Sequence, residues 1–184
     1  MSESIGQAAK ALLAGGVIAY PTEGVFGLGC LPDDAAALQR INVIKQRDPG
    51  KGFILLAATP EQLHGWLAEE DLARLPEPDP RQPITWIGRA GERVTPQLAG
   101  DNPGIAVRLT TNLIAAAICN AVGAPITSTS ANLSNAAVAP DQATLRRNFA
   151  SSVDYVVPGD CGPASGPSEI RRLETGEVLR PGKT

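Results

Sequence analysis

Residues 17–30 read VIAYPTEGVFGLGC. The apolar run Val17 to Tyr20 has the character of a buried strand, and Pro21 ends it because proline cannot donate to a central ladder. A hydroxyl and a carboxylate follow, Thr22 and Glu23, and then Gly24. Val25 to Cys30 is a second apolar stretch, broken by Gly27 and Gly29, where a missing Cβ lets another group approach the backbone closely. The segment therefore reads as strand, polar turn, strand. Its glycines do not follow GxGxxG, and no GxxxxGK[ST] occurs in the chain, so a Rossmann or Walker phosphate loop is unsupported. Taken alone, the turn is either an ordinary tight turn or a ligand site.

Outward from this stretch, helices and strands alternate. Ile5, Ala8, Ala9, Leu12 and Leu13 keep helical spacing, closed by Gly15-Gly16. Asp33 or Asp34 caps a helix through Leu38, Ile41 and Ile44 that ends near Lys45 to Arg47; this acidic pair reads as a cap rather than a metal pair. Further helices are expected from Pro60 through Leu63, Trp66 and Leu67, from Thr111 or Asn112 to Val122, and over Thr144 to Phe149. Strands are expected at Phe53–Ala57, Ile84–Ile87, Ile105–Leu109, Pro125–Ser128 and Val153–Val157. A hairpin joins Ile170–Leu173 to Val178–Arg180 around Thr175-Gly176. Residues 76–83, PEPDPRQP, are a loop. The interleaving predicts an α/β or α+β domain with a mixed sheet.

A length of 184 residues corresponds to about one domain, taken as 1–184. Hydrophobic residues are 43% and charged residues 19%, enough to build a core without staples and too apolar for a disordered chain. The net charge of −3 argues against generalised attraction to nucleic acid or anionic membranes, though not against a local basic patch. Cys30, Cys119 and Cys161 lie far apart and no CxxC occurs, which rules out a zinc ribbon or thioredoxin-type site. Reduced thiols are expected, and they suit a cytosolic chain. Cys30 has no histidine near it in sequence and is not read as a nucleophile. The single histidine, His64, excludes HExxH sites and reads as a structural or surface residue. No apolar run reaches the ~18 residues of a membrane span, and no signal peptide is visible, so no membrane association and a cytoplasmic location are expected.

Three more segments carry candidate chemistry. Residues 45–51, KQRDPGK, place three cations at a helix end: either a solvated C-terminus or a phosphate clamp, in which Arg offers a planar fork and Lys a point charge. Residues 127–132, TSTSAN, follow a strand, where α/β folds hold polar ligands, but could equally form a hydroxyl-capped turn. Pro167-Ser168-Glu169-Ile170 and Arg180-Pro181-Gly182 are weak alone.

Together these segments resemble the threonylcarbamoyl-AMP synthase family, in its YrdC-like, short single-domain form. The matching pieces are YPTEGVFGLGC, the K-x-R of Lys45 and Arg47, the S-x-N of Ser130 and Asn132 within STSANLS, and PSEIR with LRPG. They stand in the family's order from about Ile18 to Gly182. The resemblance implies a twisted mixed sheet flanked by helices around a large concave cavity. It implies synthesis of threonylcarbamoyl-AMP and pyrophosphate from L-threonine, bicarbonate or CO2, and ATP. The product would serve N6-threonylcarbamoyladenosine formation at position 37 of tRNAs reading codons that start with A.

By the same resemblance, Lys45 and Arg47 are the catalytic pair and bind phosphates. Thr22, Arg108 and Ser128 hold threonine. Ser130, Asn132, Ser168 and Arg180 join Lys45 and Arg47 around the nucleotide, with Ile170 near the adenosine. Mg2+ would bridge phosphate oxygens and keep its waters, so no protein metal site is expected. A separate tRNA threonylcarbamoyl-transferase complex would use the product, and weak tRNA binding is a possible extra. The chain departs from the pattern at Pro80-Arg81-Gln82, where many members carry Trp-Pro-Gly, and at Gly52-Phe53, where many have Pro-Leu.

The chemistry fits the residues. Attack of a carbamate oxygen on the α-phosphorus of ATP needs positioning and charge neutralisation, not a protein nucleophile. Two other readings use the same residues. One is a structured-RNA-binding module based on the basic patch Lys45 to Lys51. The other is a relative acting on a different amine.

Overall fold

The computed structural model describes residues 2–134 and 136–182. In chain order the elements are α1 (Ser2–Leu13), β1 (Ile18–Tyr20), β2 (Gly27–Gly29), α2 (Ala35–Lys45), β3 (Ile54–Ala57), α3 (Glu69–Leu72) and β4 (Ile84–Gly88). There follow α4 (Pro96–Ala99), β5 (Ile105–Leu109), α5 (Leu113–Val122), β6 (Ile126–Ser130), α6 (Gln142–Phe149), β7 (Tyr155–Val156), β8 (Glu169–Arg172) and β9 (Val178–Arg180).

The nine strands form one mixed sheet in the order β7-β1-β2-β6-β3-β5-β4-β8-β9. Next to the central strand β3 lies β6, which changes partner along its length. Ile126 to Ser128 pair with β3, while Thr129 and Ser130 pair with β2. Side chains alternate across the sheet, as the period of two requires. Ile18 and Tyr20 of β1 and Leu56 of β3 pack with Leu12 of α1 and Ile118 of α5. Ala19, Leu55 and Val107 point the other way and pack with Ile41 of α2, Phe53 and Trp66.

The local chemistry of the opening stretch explains its tight pairing. A Cβ on Gly29 would lie 2.1 Å from the Thr127 carbonyl oxygen and 3.0 Å from Tyr20 Cε1, so no larger residue fits. The Tyr20 hydroxyl donates to that same carbonyl at 2.9 Å. Asp34 caps α2, accepting from the Ala37 amide at 2.9 Å, as the sequence predicts.

Three features differ from expectation. The segment from Pro60 is a 3-10 turn that stops at Leu63. Gly65, at φ +77°, then turns the chain, and Trp66 and Leu67 reach the core from a loop. Helices α3 and α4, four residues each, are too short to show a period. The strand expected over Val153–Val157 pairs only at Tyr155 and Val156.

Cys30 and Cys119 are buried and Cys161 half-buried, all three as free thiols. His64 is exposed, with Nδ1 3.0 Å from Glu69 Oε1. Among the described residues no helix is long and apolar enough to cross a membrane.

Candidate active site

A cavity of about 280 Å3 lies across the middle of the sheet, where β6 changes partner. Four separate segments of chain build it.

The first is the turn between β1 and β2. Thr22 Oγ1 donates to the Val25 carbonyl at 2.6 Å, which closes the turn on itself. Gly24 sits against the loop before β8, where a Cβ would come within 2.2 Å of the Gly166 carbonyl oxygen. Two backbone bonds hold that loop in place, Gly162 N to Thr22 O at 2.9 Å and Ala164 N to Glu23 O at 3.0 Å.

The second is the end of α2. Gln46 takes the left-handed conformation, φ 49°, and this sends its two cationic neighbours to different places. Lys45 is only 3% exposed. Its ammonium donates to the Ser130 carbonyl, to the Asn132 carbonyl at 2.6 Å, and to Asn132 Oδ1 at 3.4 Å. Burial, with Arg47 and Lys51 nearby, pulls its pKa down to about 8. Arg47 turns into the cavity. It donates to the Gly52 carbonyl at 2.5 Å, lies over the Phe53 ring at 5.0 Å from the centroid, and leaves Nη1 buried without a partner among the described residues.

The third is the end of β6. Ser128 and Ser130 face the cavity. The Ser130 hydroxyl donates to Asn132 Oδ1 at 2.6 Å, and Asn132 Nδ2 donates to the Leu133 and Ala136 carbonyls at 2.9 and 2.8 Å. Asn132 thus holds the bend after β6 together.

The fourth combines β5 with the β8–β9 hairpin. Arg108 of β5 is 5% exposed, and its Nη2 lies 3.5 Å from Glu23 Oε2. The Ser168 hydroxyl shares a 2.7 Å hydrogen bond with Thr85, and Arg180 Nη2 donates to the Ser168 carbonyl at 2.7 Å. Burial first, then the nearby Arg108 charge, lowers the pKa of Arg180.

Of the residues proposed from sequence, Thr22, Arg47, Arg108, Ser128, Ser130, Ser168 and Arg180 all line the one cavity, as does Ile170. Lys45 and Asn132 stand behind its wall and bind the segment that carries Ser130. Lys51, the third cation of the basic run, and Asn102, which no motif marks, also line the cavity. Asn102 carried no signal, because only the fold brings the loop after α4 to this place.

The electrostatics are one-sided. Arg47, Lys51, Arg108 and Arg180 line the cavity, and among the described residues no Asp or Glu does. Such a site suits a polyanion, since each cation offsets charge that would otherwise repel within the ligand. The run Lys45 to Lys51 does not form a solvent-facing stripe, because Lys45 is buried and Arg47 half-buried. Among the described residues no cluster of three or more His, Cys, Asp or Glu could cage a metal ion.

Comparison with known proteins places the chain in a family. The family model "Sua5_yciO_yrdC: Telomere recombination" matches residues 10–182. Threonylcarbamoyl-AMP synthase of Nitrosococcus oceani is 46% identical over 176 residues, 94% of this chain and 95% of that protein. The enzyme of the same name from Chromohalobacter salexigens is 42% identical over 97% of each chain. Among solved structures, P. abyssi Sua5 complexed with L-threonine superposes with a TM-score of 0.86 at 28% identity, covering 97% of this chain. This chain spans about half of that P. abyssi protein, 54% of its length. On the family match and these two relatives, the chain belongs to the threonylcarbamoyl-AMP synthase family.

Proposed function

We propose that the cavity is where L-threonine, bicarbonate or CO2, and ATP are joined to give threonylcarbamoyl-AMP and pyrophosphate. The observation that carries this reading is the convergence of four cations and a row of small hydroxyls on one cavity without a carboxylate. The amine of threonine and CO2 form a carbamate and release a proton. A carbamate oxygen then attacks the α-phosphorus, and the bond to the β-phosphate oxygen breaks. Two anions must approach each other, so neutralisation and alignment carry the rate.

Arg47, Lys51 and Arg180 are assigned to the polyphosphate, and Ser168 with Ile170 to the nucleoside. Thr22, Ser128 and Arg108 are assigned to threonine. Lys45 and Asn132 keep Ser130 in register with these groups. The absence of a carboxylate from the lining favours Mg2+ entering with ATP as part of the substrate, held by phosphate oxygens and water. The product is a mixed anhydride, so a separate transferase acting on tRNA adenosine is its expected consumer.

The test is pyrophosphate release with ATP, Mg2+ and bicarbonate, with and without L-threonine, and with L-serine as control. Threonine-dependent release is expected. Equal release without amino acid, or none from folded protein, overturns the assignment; release with another amine in place of threonine redirects it.

A further inference from the structure

Glu23 is not among the residues lining the cavity, yet it is buried directly behind one that is, at 2% exposure. Its two carboxylate oxygens do different things. Oε1 accepts from the Thr110 hydroxyl at 2.5 Å and from the amides of Thr111 and Asn112 at 2.9 and 3.4 Å. These bonds tie the polar turn to the end of β5 and the start of α5. Oε2 accepts no hydrogen bond from the described residues and faces Arg108 Nη2 at 3.5 Å. Burial would raise the Glu23 pKa, but the Arg108 charge and the bonds from Thr110 and Thr111 outweigh it, so the group is held below its ordinary value as a carboxylate.

Arg108 is the counterpart. Among the described residues its side chain has this one ion pair, and its Nε is buried without a partner. A buried guanidinium normally has its donors filled, because unfilled ones are costly. Here Arg108 lines the cavity, while one carboxylate, Glu23, faces its Nη2 from the wall. Arg180 lines the same cavity and the Arg108 charge lowers its pKa, so Glu23 supplies the carboxylate that offsets a second cation there.

We propose that Glu23 is a positioning residue: it presents the Arg108 guanidinium to the carboxylate of the amino-acid substrate. This rests on the assignment of Arg108 to threonine made above. A planar guanidinium matches a carboxylate in two parallel bonds only if its plane is fixed, and that alignment is what Glu23 supplies.

The experiment compares Glu23→Gln, Arg108→Gln and the double variant in threonine-dependent pyrophosphate release. Glu23→Gln retains an acceptor for Thr110, Thr111 and Asn112 but removes the charge facing Arg108. The expected result is a rise of about 10-fold in KM for threonine, with kcat and the KM for ATP changed by less than about 3-fold. Adding Glu23→Gln to Arg108→Gln should change the threonine KM no further, because the two act as a unit. Should Glu23→Gln not fold, Glu23→Asp replaces it: the shorter acid keeps the charge but withdraws it from Arg108, and the same selective rise is expected.

A threonine KM unchanged by both Glu23 variants while Arg108→Gln raises it overturns the positioning role and leaves the site assignment intact. A loss of kcat and melting temperature with no change in threonine KM shows a merely structural residue and also overturns it. An Arg108→Gln enzyme with normal threonine KM overturns both.

Discussion

Gly24→Ala tests whether the turn between β1 and β2 is set by its contact with the loop before β8. A Cβ at this position would fall 2.2 Å from the Gly166 carbonyl oxygen and 3.1 Å from that of Ala164. Both obstacles are backbone, so no side chain can swing aside. Restoring a contact of 3.0 Å needs a displacement of roughly 0.8 Å in an interior packed too densely to absorb it. The backbone bonds from Gly162 to Thr22 and from Ala164 to Glu23 would stretch with it. Overpacking of this kind costs about 1–3 kcal/mol. For a chain of this size, a loss of about 2 kcal/mol lowers Tm by about 4–8 °C. The functional loss should be larger, because the moving segment carries Thr22 and Glu23; a misplacement near 1 Å costs about 100-fold in rate. Calorimetry and threonine-dependent pyrophosphate release measure the two effects. Gly6→Ala is the matched control: nothing lies within 4 Å of its Cβ position in α1, so it should gain up to about 1 kcal/mol and leave the rate alone. Wild-type Tm and rate in Gly24→Ala would refute the reasoning.

Two further outcomes follow from the same structure. Arg47→Ala and Lys45→Ala should each slow pyrophosphate release at least ~10-fold, about 1.4 kcal/mol, but only Lys45→Ala should also lower Tm clearly, because it removes a buried side chain that donates to two partly buried carbonyls. Normal rates in both variants would remove the pair from the machinery. Alkaline unfolding should begin near pH 9: burial pushes the Cys30 and Cys119 thiols from 9.0 up to about 12, so they keep their protons in the folded chain while the unfolded chain loses them. Their contribution is complete below pH 9 and disappears as the pH rises to 12, on the order of 4 kcal/mol each. Lys45 works in the opposite sense, adding stability as the pH rises from about 8 to 10.5. Denaturant midpoints across pH 8–12 should therefore fall less steeply in Cys30→Ala and Cys119→Ala; an unaltered slope would show that these thiols do not govern it.

Much of this architecture is legible in residues with strong local signals. The buried runs at Ile54–Ala57 and Ile105–Leu109, the Asp34 cap and the turn at Thr175-Gly176 sit where their chemistry predicts. The segment from Pro60 misleads because Leu63, Trp66 and Leu67 keep helical spacing, while the left-handed turn at Gly65 carries Trp66 and Leu67 inward without a helix. At the site, four motifs give the lining side chains but not their directions. Nothing in K-x-R tells which cation faces the ligand; a single left-handed residue, Gln46, separates them. Glu23 was visible in the polar turn, but its place behind Arg108 depends on a contact between residues far apart in the chain.

The sheet order also fixes when the cavity can exist during folding. Strand β1 lies between β2, its neighbour in sequence, and β7, whose approach brings the Asp154 carboxylate onto the Val17 amide across 137 residues. At the other edge, β4 waits for β8 and β9. Thr22 and Arg180, which share the cavity, are thus supplied by opposite ends of the chain. Pairings of such long range form late and slowly, because the closure entropy comes before the contacts that offset it. A nascent chain still lacking its last strands can gather the early strands and α2 around Ile41, but it has neither Ser168 nor Arg180. Substrate binding should consequently mature only with the final hairpin, which makes ATP affinity a sensitive reporter of complete folding.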